Sequence, residues 1–249
     1  MRVAVAGSSG LIGSQVCRLV QAAGHDITRL SRREGVDLLN AAAVTDALAG
    51  ADVVVDVSRP SRMDLDSARQ FFTAVARNLA AAGTVAGVHR TVVLSIVGVD
   101  RGQDYDWYVA TLAHERAIQD LAPGPRVLRS TQFHEFPGQV LDRASGGRAS
   151  GTVEIMDVPI QPVDSVEVAR ALVDLATDPD AGDRQLAGPR VERLVQLVTD
   201  LVAYQRLALV VRPGPAPASM AAGSMLPGPD VPTAGVDWHT WLQDRGQQN

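Results

Sequence analysis

The segment RVAVAGSSGLIGS, residues 2–14, constrains this chain more than any other stretch. RVAVA is a valine-rich apolar run of the kind that forms a buried strand, and LIGSQVCRLVQAAGH carries apolar residues at helical spacing up to Gly24. Between them stand Gly7, Gly10 and Gly13, in a G-x-x-G-x-x-G pattern. A glycine-rich turn joining a buried strand directly to a helix is the arrangement that docks a dinucleotide pyrophosphate. Gly7 permits the tight turn, Gly10 lets the backbone approach the phosphates, and Gly13 lets the helix pack close on the strand. Backbone N–H groups at Gly10, Leu11 and Ile12 would face the anion at the helix N-terminus, with Ser9 in the same loop as a further contact. The other reading of these residues is a glycine-rich turn that holds no ligand.

The remainder of the first 145 residues repeats the same alternation. DITRL, ADVVVDVS, TVVLSIVG and RVLRSTQF read as strands, and AAAVTDALAG, LDSARQFFTAVARNLAAAG and DWYVATLAHERAIQDLA as helices between them. The near-continuous apolar strands suit a parallel sheet covered on both faces. The pattern predicts an α/β fold, a doubly wound parallel sheet of the Rossmann type, with residues 1–150 as the dinucleotide-binding domain and 151–249 as a smaller substrate-binding portion packed on it. In that second part, GGRASGTVEIMDVPIQPV reads as loop and short strands. DSVEVARALVDLATD reads as a helix with an Asp-Ser cap, VERLVQLVTDLVAYQRL as another helix, and LALVVRP as a strand. Residues 213–235, dense in Pro, Gly, Ala and Ser, are expected to be either a functional loop or disordered. VDWHTWLQD closes the chain as a short helix.

Composition excludes several classes. The 249 residues are 46% hydrophobic and 20% charged, ordinary globular material. A net charge of −5 with no basic run gives no support for binding along a nucleic-acid backbone. The lone Cys17 sits in an apolar helical pattern and reads as a small buried hydrophobe; with no disulfide possible inside the chain, a reducing cytoplasm is expected. The chain begins a strand at once and contains no membrane-length apolar run, so neither a signal peptide nor a membrane partner is expected. His25, His89, His114 and His239 have no metal-ligand spacing, and no G-x-S-x-G elbow supplies a hydrolase nucleophile, so no metal is expected. All 23 basic residues are arginine, which removes every mechanism that requires a lysine.

The strand ends carry the remaining candidates. NAD sites usually place Asp or Glu at the end of the second strand; here it reads Ser31, Arg32, Arg33, with Glu34 beyond the strand. An arginine fork there suits a ribose 2′-phosphate, which points to NADP(H); the other reading is a pair of solvated loop charges. Asp37 and Leu38 fall where the following loop could pass an adenine, and Val57 and Ser58 where the next strand ends over a ribose. Ser95 ends the strand after that, where its hydroxyl either binds a nicotinamide or substrate carbonyl or simply caps the loop. Thr131, at the end of RVLRST, is placed among the cofactor contacts. His134 follows it, either as a general acid at neutral pH or as a packing histidine. Phe71, Phe72, Trp238 and Trp241 read as packing residues.

AGSSGLIGS, DVVVDVS, LSIVGVD, the helix carrying Glu115, VLRSTQFHEF and IQPVDSVEVARAL together resemble the NmrA-like, atypical branch of the short-chain dehydrogenase/reductase superfamily. The resemblance is strongest over residues 1–165 and weakens after Pro213. It implies a Rossmann fold, NADP(H) binding and a small-molecule substrate held under C-terminal segments. Reductases of that family often carry Tyr-x-x-x-Lys ahead of the glutamate. Matched through Ala110, Ala113 and Glu115, this chain has Trp107 and Thr111 at those two places. An indole N–H is not a usable acid at neutral pH, and a threonine hydroxyl can bind a ribose but carries no charge. Tyr105 and Tyr108 do not restore the spacing, leaving Tyr108 as an alternative proton donor of undetermined orientation and Glu115 as a structural residue.

Three functions are compatible with this pattern: an NADPH-dependent reductase of a small quinone-like or aromatic carbonyl compound, a non-redox isomerase or cyclase, and an NADP(H)-sensing protein without turnover. The first is the leading expectation, because hydride transfer belongs to the cofactor and a conjugated acceptor can take its proton from water or from His134.

Overall fold

The computed structural model describes residues 1–247, with side chains through Asp244. Arg2–Ala6 forms β1, and the glycine turn leads into α1 (Leu11–Ala22); β2 (Asp26–Leu30) follows. A 3₁₀ turn at Arg32–Glu34 precedes α2 (Ala41–Ala47), β3 (Val53–Asp56), α3 (Leu65–Ala86), β4 (Arg90–Ile96), α4 (Asp106–Leu121) and β5 (Pro125–Ser130). Next come α5 (Phe136–Ser145), β6 (Ser150–Met156), β7 (Pro159–Ile160), α6 (Ser165–Thr177), β8 (Arg184–Leu186) and β9 (Glu192–Arg193). The chain finishes with α7 (Leu194–Tyr204), β10 (Ala208–Gly214), α8 (Ala218–Ala221) and α9 (Trp238–Gln247).

Six strands form one sheet in the order β2-β1-β3-β4-β5-β8. Its pairs β1–β2, β1–β3 and β3–β4 are parallel, with Val3 opposite both Ile27 and Val53. Because β1 lies between β2 and β3, the connections leave it toward opposite sides. The turn after β1 is therefore a topological switch point, where open α/β sheets bind ligands. The alternating sequence pattern predicts this α/β Rossmann architecture, and the structure has it. The central strands are dry: Val3, Val5, Val53, Val54 and Val55 have no exposed surface. One face carries Leu30, Val44, Leu48, Val75 and Leu79 as a continuous apolar cluster. Cys17 lies in the buried stripe of α1, as its pattern predicts.

The chain does not divide at a single boundary near residue 150. It forms two compact units, each discontinuous in sequence: residues 1–96, 106–129 and 166–185 make the first, and residues 97–105, 130–165 and 186–249 the second. The physical reason is that α6 and the start of β8 return to the first unit, where β8 extends the sheet. Buried Arg90 fixes this return by donating to the carbonyls of Leu175, Asp178 and Pro179 at the end of α6.

The second unit is built from the parallel pair β6–β10, the short antiparallel pair β7–β9, and helices α5, α7, α8 and α9. Residues 213–235, expected as loop or disorder, are ordered by specific bonds. Asp104 accepts from the Ser219 N–H (3.0 Å) and from its hydroxyl. Arg101 donates to the Ser224 and Leu226 carbonyls, and Ala187 bonds to Pro232 and Ala234. Among the described residues no helix is long and apolar enough to cross a membrane.

Candidate nucleotide-binding site

The three glycines of the first turn are required for different reasons. Gly7 has φ +82°, and a Cβ there would stand 2.7 Å from the Val57 carbonyl oxygen and 2.9 Å from Ser58 backbone atoms. A Cβ on Gly13 would lie 2.2 Å from the Gly7 carbonyl oxygen, so only glycine lets α1 descend onto the turn. Gly10 is different: its φ is −80°, and a Cβ would meet only the Gly7 oxygen, at 3.3 Å. The fold leaves near-sufficient room at Gly10, so its glycine preserves the space in front of the helix.

Gly10 caps α1 without a side chain, and its own N–H donates to the Gly7 carbonyl at 3.0 Å. The first-turn N–H groups of Leu11, Ile12 and Gly13 have no i−4 carbonyl to meet, and the positive end of the helix dipole stands there. Ser8 and Ser31 are buried, 4% and 6% exposed, yet their hydroxyls find no hydrogen-bond partner among the described residues. Buried polar groups without partners are uncommon in folded proteins. Orphan donors at a helix N-terminus, flanked by orphan hydroxyls, fit the phosphates and ribose of a dinucleotide.

At the end of β2, Ser31 precedes the 3₁₀ turn that carries Arg32 and Arg33. Both guanidinium groups are exposed and engage no protein partner among the described residues. Asp37 is exposed and closes a small turn by accepting from the Leu39 N–H at 3.1 Å. Leu38 turns into the apolar core at 7% exposure, and its carbonyl accepts from Asn78 at 2.8 Å. Its side chain therefore packs inward. Val57 and Ser58 lie directly beneath Gly7.

The buried Asp56–His114 pair at this strand end was not anticipated from sequence. Asp56, 1% exposed, ends β3; one carboxylate oxygen accepts from the Ser58 N–H at 2.9 Å, and the other lies 2.9 Å from His114 Nε2. Burial alone would raise the Asp56 carboxyl, but His114 and the Ser58 bonds outweigh it and hold the group below the usual carboxylate range. The His114 ring stacks on Phe72 with centroids 4.4 Å apart and planes 14° from parallel. The available signal was an aspartate closing the otherwise apolar run VVVD; a buried carboxylate there needs a partner.

Helix α4 holds the residues that replace Tyr and Lys in the resemblance. The Trp107 ring lies 5.7 Å from that of Phe72, and the Arg59 guanidinium stands 5.7 Å over the indole. Thr111 is 5% exposed, and its hydroxyl donates to the Trp107 carbonyl at 2.7 Å. The oxygen can still accept one bond, but its proton is committed within the helix. Tyr108 is 2% exposed and lies among the buried side chains of α4. Glu115 is structural: it accepts two bonds from Arg129, at 3.0 and 2.6 Å. Ser95 is 2% exposed, and its hydroxyl has no hydrogen-bond partner among the described residues, so it does not cap the loop.

Thr131 and His134 belong to the second unit. Thr131 is buried and its hydroxyl has no partner among the described residues. His134 does not have the setting of a general acid. It is 1% exposed, and its Nε2 faces the Val236 carbonyl at 3.0 Å. Burial pushes the imidazole down, outweighing the Val236 bond and the Asp164 and Asp237 carboxylates. The ring is therefore neutral at neutral pH: its single proton is donated to Val236, and buried Nδ1 carries only a lone pair. The packing reading of this histidine is the one the geometry supports.

Residues 3–99 match the model of the NAD dependent epimerase/dehydratase family. No curated protein matches the sequence significantly. Among solved structures, a dTDP-4-dehydrorhamnose reductase ortholog from Clostridium acetobutylicum superimposes with a TM-score of 0.74 at 13% identity, covering 100% of this chain and 99% of that one. The dTDP-4-dehydrorhamnose reductase of Bacillus anthracis, solved in complex with NADP, gives 0.72 at 13% identity over 100% and 99%. UDP-N-acetylglucosamine 4-epimerase from Bacillus cereus gives 0.73 at 15% identity over 100% and 96%. The chain thus has the Rossmann-like fold found in these reductases and epimerases, and its first 99 residues carry the NAD-dependent epimerase/dehydratase pattern from Val3 onward.

Proposed function

We propose that this protein binds NADP(H) and is an NADPH-dependent reductase of the atypical, NmrA-like type, acting on a small quinone-like or aromatic carbonyl compound. One observation carries the reading. The α1 N-terminus offers orphan N–H donors beside the buried, unpartnered hydroxyls of Ser8 and Ser31, and two exposed arginines stand at the end of β2 in place of an acid. Ser9, Val57, Ser58 and Asp37 complete the proposed cofactor contacts, with Ser95 and Thr111 toward the nicotinamide end.

When bound, the nicotinamide supplies the hydride; the chain's residues bind, orient and exclude water. Trp107 and Thr111 cannot deliver a proton to an alkoxide as a tyrosine with its lysine would. The substrate best suited to such a site is a conjugated acceptor whose reduced form is a stabilised anion, protonated by water. Interconversion of a sugar alcohol and ketone, as the names of the structural relatives suggest, needs acid–base help at the place Trp107 occupies. A second reading, binding without turnover, is favoured by one feature: Thr111, His134 and Tyr108 are all bonded or buried inside the protein.

The test is to titrate NADPH and NADH calorimetrically, then follow nicotinamide absorbance with a panel of quinones and aromatic ketones. Saturable NADPH binding with quinone-dependent oxidation supports the reductase. Binding without consumption leaves the second reading, and absence of binding overturns both.

A further inference from the structure

The buried pair at the end of β3 needs a reason beyond stability. Asp56 and His114 are 1% and 3% exposed, and the three valines before Asp56 have no exposed surface. Desolvating two charged groups costs about as much as their attraction returns, so apolar side chains of similar size would hold β3 against α4 as well. What apolar residues cannot do is present a carboxylate in one fixed orientation.

That orientation shapes the chain after β3. Val57 continues the strand ladder by donating to the Ala6 carbonyl at 3.0 Å. The next residue leaves it: the Ser58 N–H turns back to the Asp56 carboxylate, at 2.9 Å, and closes a local turn. The turn brings this backbone against Gly7, where a Cβ would stand 2.7 Å from the Val57 carbonyl oxygen and 2.9 Å from Ser58. From the β2 side, the Gly7 N–H donates to the Leu30 carbonyl at 2.9 Å. The glycine turn is therefore set between the end of β2 and the Ser58 peptide, and that peptide follows the Asp56 side chain.

Asp56 is fixed in turn by two helices. Its second oxygen accepts from His114 Nε2 at 2.9 Å; an ionised carboxylate only accepts, so this nitrogen carries the proton. The His114 ring stacks on Phe72 of α3, which limits its rotation. On α4, His114 follows Thr111 by three residues, close to one helical turn. A continuous run of contacts thus leads from α4 through Asp56 and the Ser58 N–H to Gly7. We propose that Asp56 and His114 are positioning residues for the phosphate-binding turn, touching no nucleotide and setting its affinity through the Ser58 peptide. The inference rests on the nucleotide reading of that turn.

The test compares wild type with His114→Phe, His114→Gln and the double variant Asp56→Leu with His114→Phe. Each is the full chain, held well below its unfolding transition. NADPH affinity is measured by calorimetry. Amide hydrogen exchange is measured without nucleotide at Ser58 and at Gly10, whose N–H donates to the Gly7 carbonyl. Glutamine retains an N–H donor for Asp56, so His114→Gln should keep both readouts within about threefold of wild type. The double variant strands no charge and should be more stable than His114→Phe, but it lacks the acceptor for Ser58. Its NADPH affinity should fall about tenfold or more, and both amides should exchange faster by about the same factor. A merely structural pair would let binding recover together with stability. Wild-type affinity and exchange in the folded double variant, or loss of both in folded His114→Gln, would overturn the proposal. A wild-type chain that binds no NADPH would instead overturn the nucleotide reading, and exchange in the ligand-free protein would then decide the positioning alone.

Discussion

Asp56 and His114, 58 residues apart, meet at 2.9 Å in a place where neither has more than a few per cent of its surface exposed. The contact ties the end of β3 to the middle of α4. His114→Phe preserves the stacking on Phe72 but leaves the Asp56 carboxylate buried with only the Ser58 bonds. Breaking one side of a buried pair costs about 3–5 kcal/mol. The double change Asp56→Leu with His114→Phe should cost less than either single change, since no charge is stranded. Urea denaturation of the four proteins of the cycle measures this; additive losses would mean the two residues act independently.

Gly13 and Gly10 should separate folding from binding. Gly13→Ala drives a methyl group against the Gly7 carbonyl, so it should destabilise the fold and abolish NADPH binding together. Gly10→Val should leave the unfolding transition nearly in place and still abolish binding, because the side chain occupies the space before the helix N-terminus. Circular dichroism melts alongside NADPH calorimetry distinguish the two. Normal NADPH affinity in folded Gly10→Val would remove the turn as the phosphate site.

Arg32→Ala should alter cofactor choice and nothing else. The side chain is exposed and bonded to no protein group among the described residues, so stability should not change. A charge-assisted contact to a 2′-phosphate contributes about 1.5–3 kcal/mol, so NADPH affinity should fall about tenfold or more. NADH affinity should be unaffected. An equal loss for both cofactors would sink the assignment.

Trp107→Tyr with Thr111→Lys restores the residue types of the short-chain reductases and should still yield no ketone reductase. Thr111 is 5% exposed, so a lysine there must bury or redirect its ammonium, and the smaller phenol forfeits the Trp107 packing on Phe72. The expected result is a lower melting temperature and no gain in NADPH turnover with simple aromatic ketones. A gain of about 10²-fold or more, the size of general acid catalysis, would show an intact reductase frame missing only two side chains.

His134 should impose a pH dependence on stability. Burial lowers its folded pKa beneath the unfolded value of about 6.5. Between those two values the unfolded chain binds the extra proton, so stability rises with pH there and falls as the solution is acidified. Above the unfolded value the contribution is complete. His134→Gln, which retains a donor for the Val236 carbonyl, should flatten that part of the profile. Denaturation midpoints from neutral to mildly acidic pH test the slope; an unchanged slope in the variant would assign it to other groups.

The sheet and the glycine turn were legible because strand period, helix period and turn chemistry all fall within short windows of sequence. The residues that needed long-range knowledge were not. Asp56 reads as the polar end of a strand, and only the fold reveals that a helix residue far along the chain faces it. His134 has a sequence position suited to catalysis, but its neutrality depends on the Val236 carbonyl and on burial by distant segments. The division of the chain was misplaced for the same reason: Arg90 gathers carbonyls 85 to 89 residues away, and nothing local announces that α6 belongs with the first strands. The segment 213–235 looked structureless because its order comes from Arg101 and Asp104, more than a hundred residues earlier.

That last pairing sets an order of events during synthesis. Asp104 and Arg101 reach partners 115 and 125 residues further on, and a Cβ at Gly98 would strike the Ser224 carbonyl at 1.7 Å. Residues 97–105 therefore leave the ribosome long before the backbone that completes their surroundings exists. The first five strands, all emerged by Ser130, can pair while translation continues, whereas the second unit must close over a long loop at the end. Until then the 97–105 segment lacks the backbone carbonyls and N–H groups that Arg101 and Asp104 bond in the finished fold.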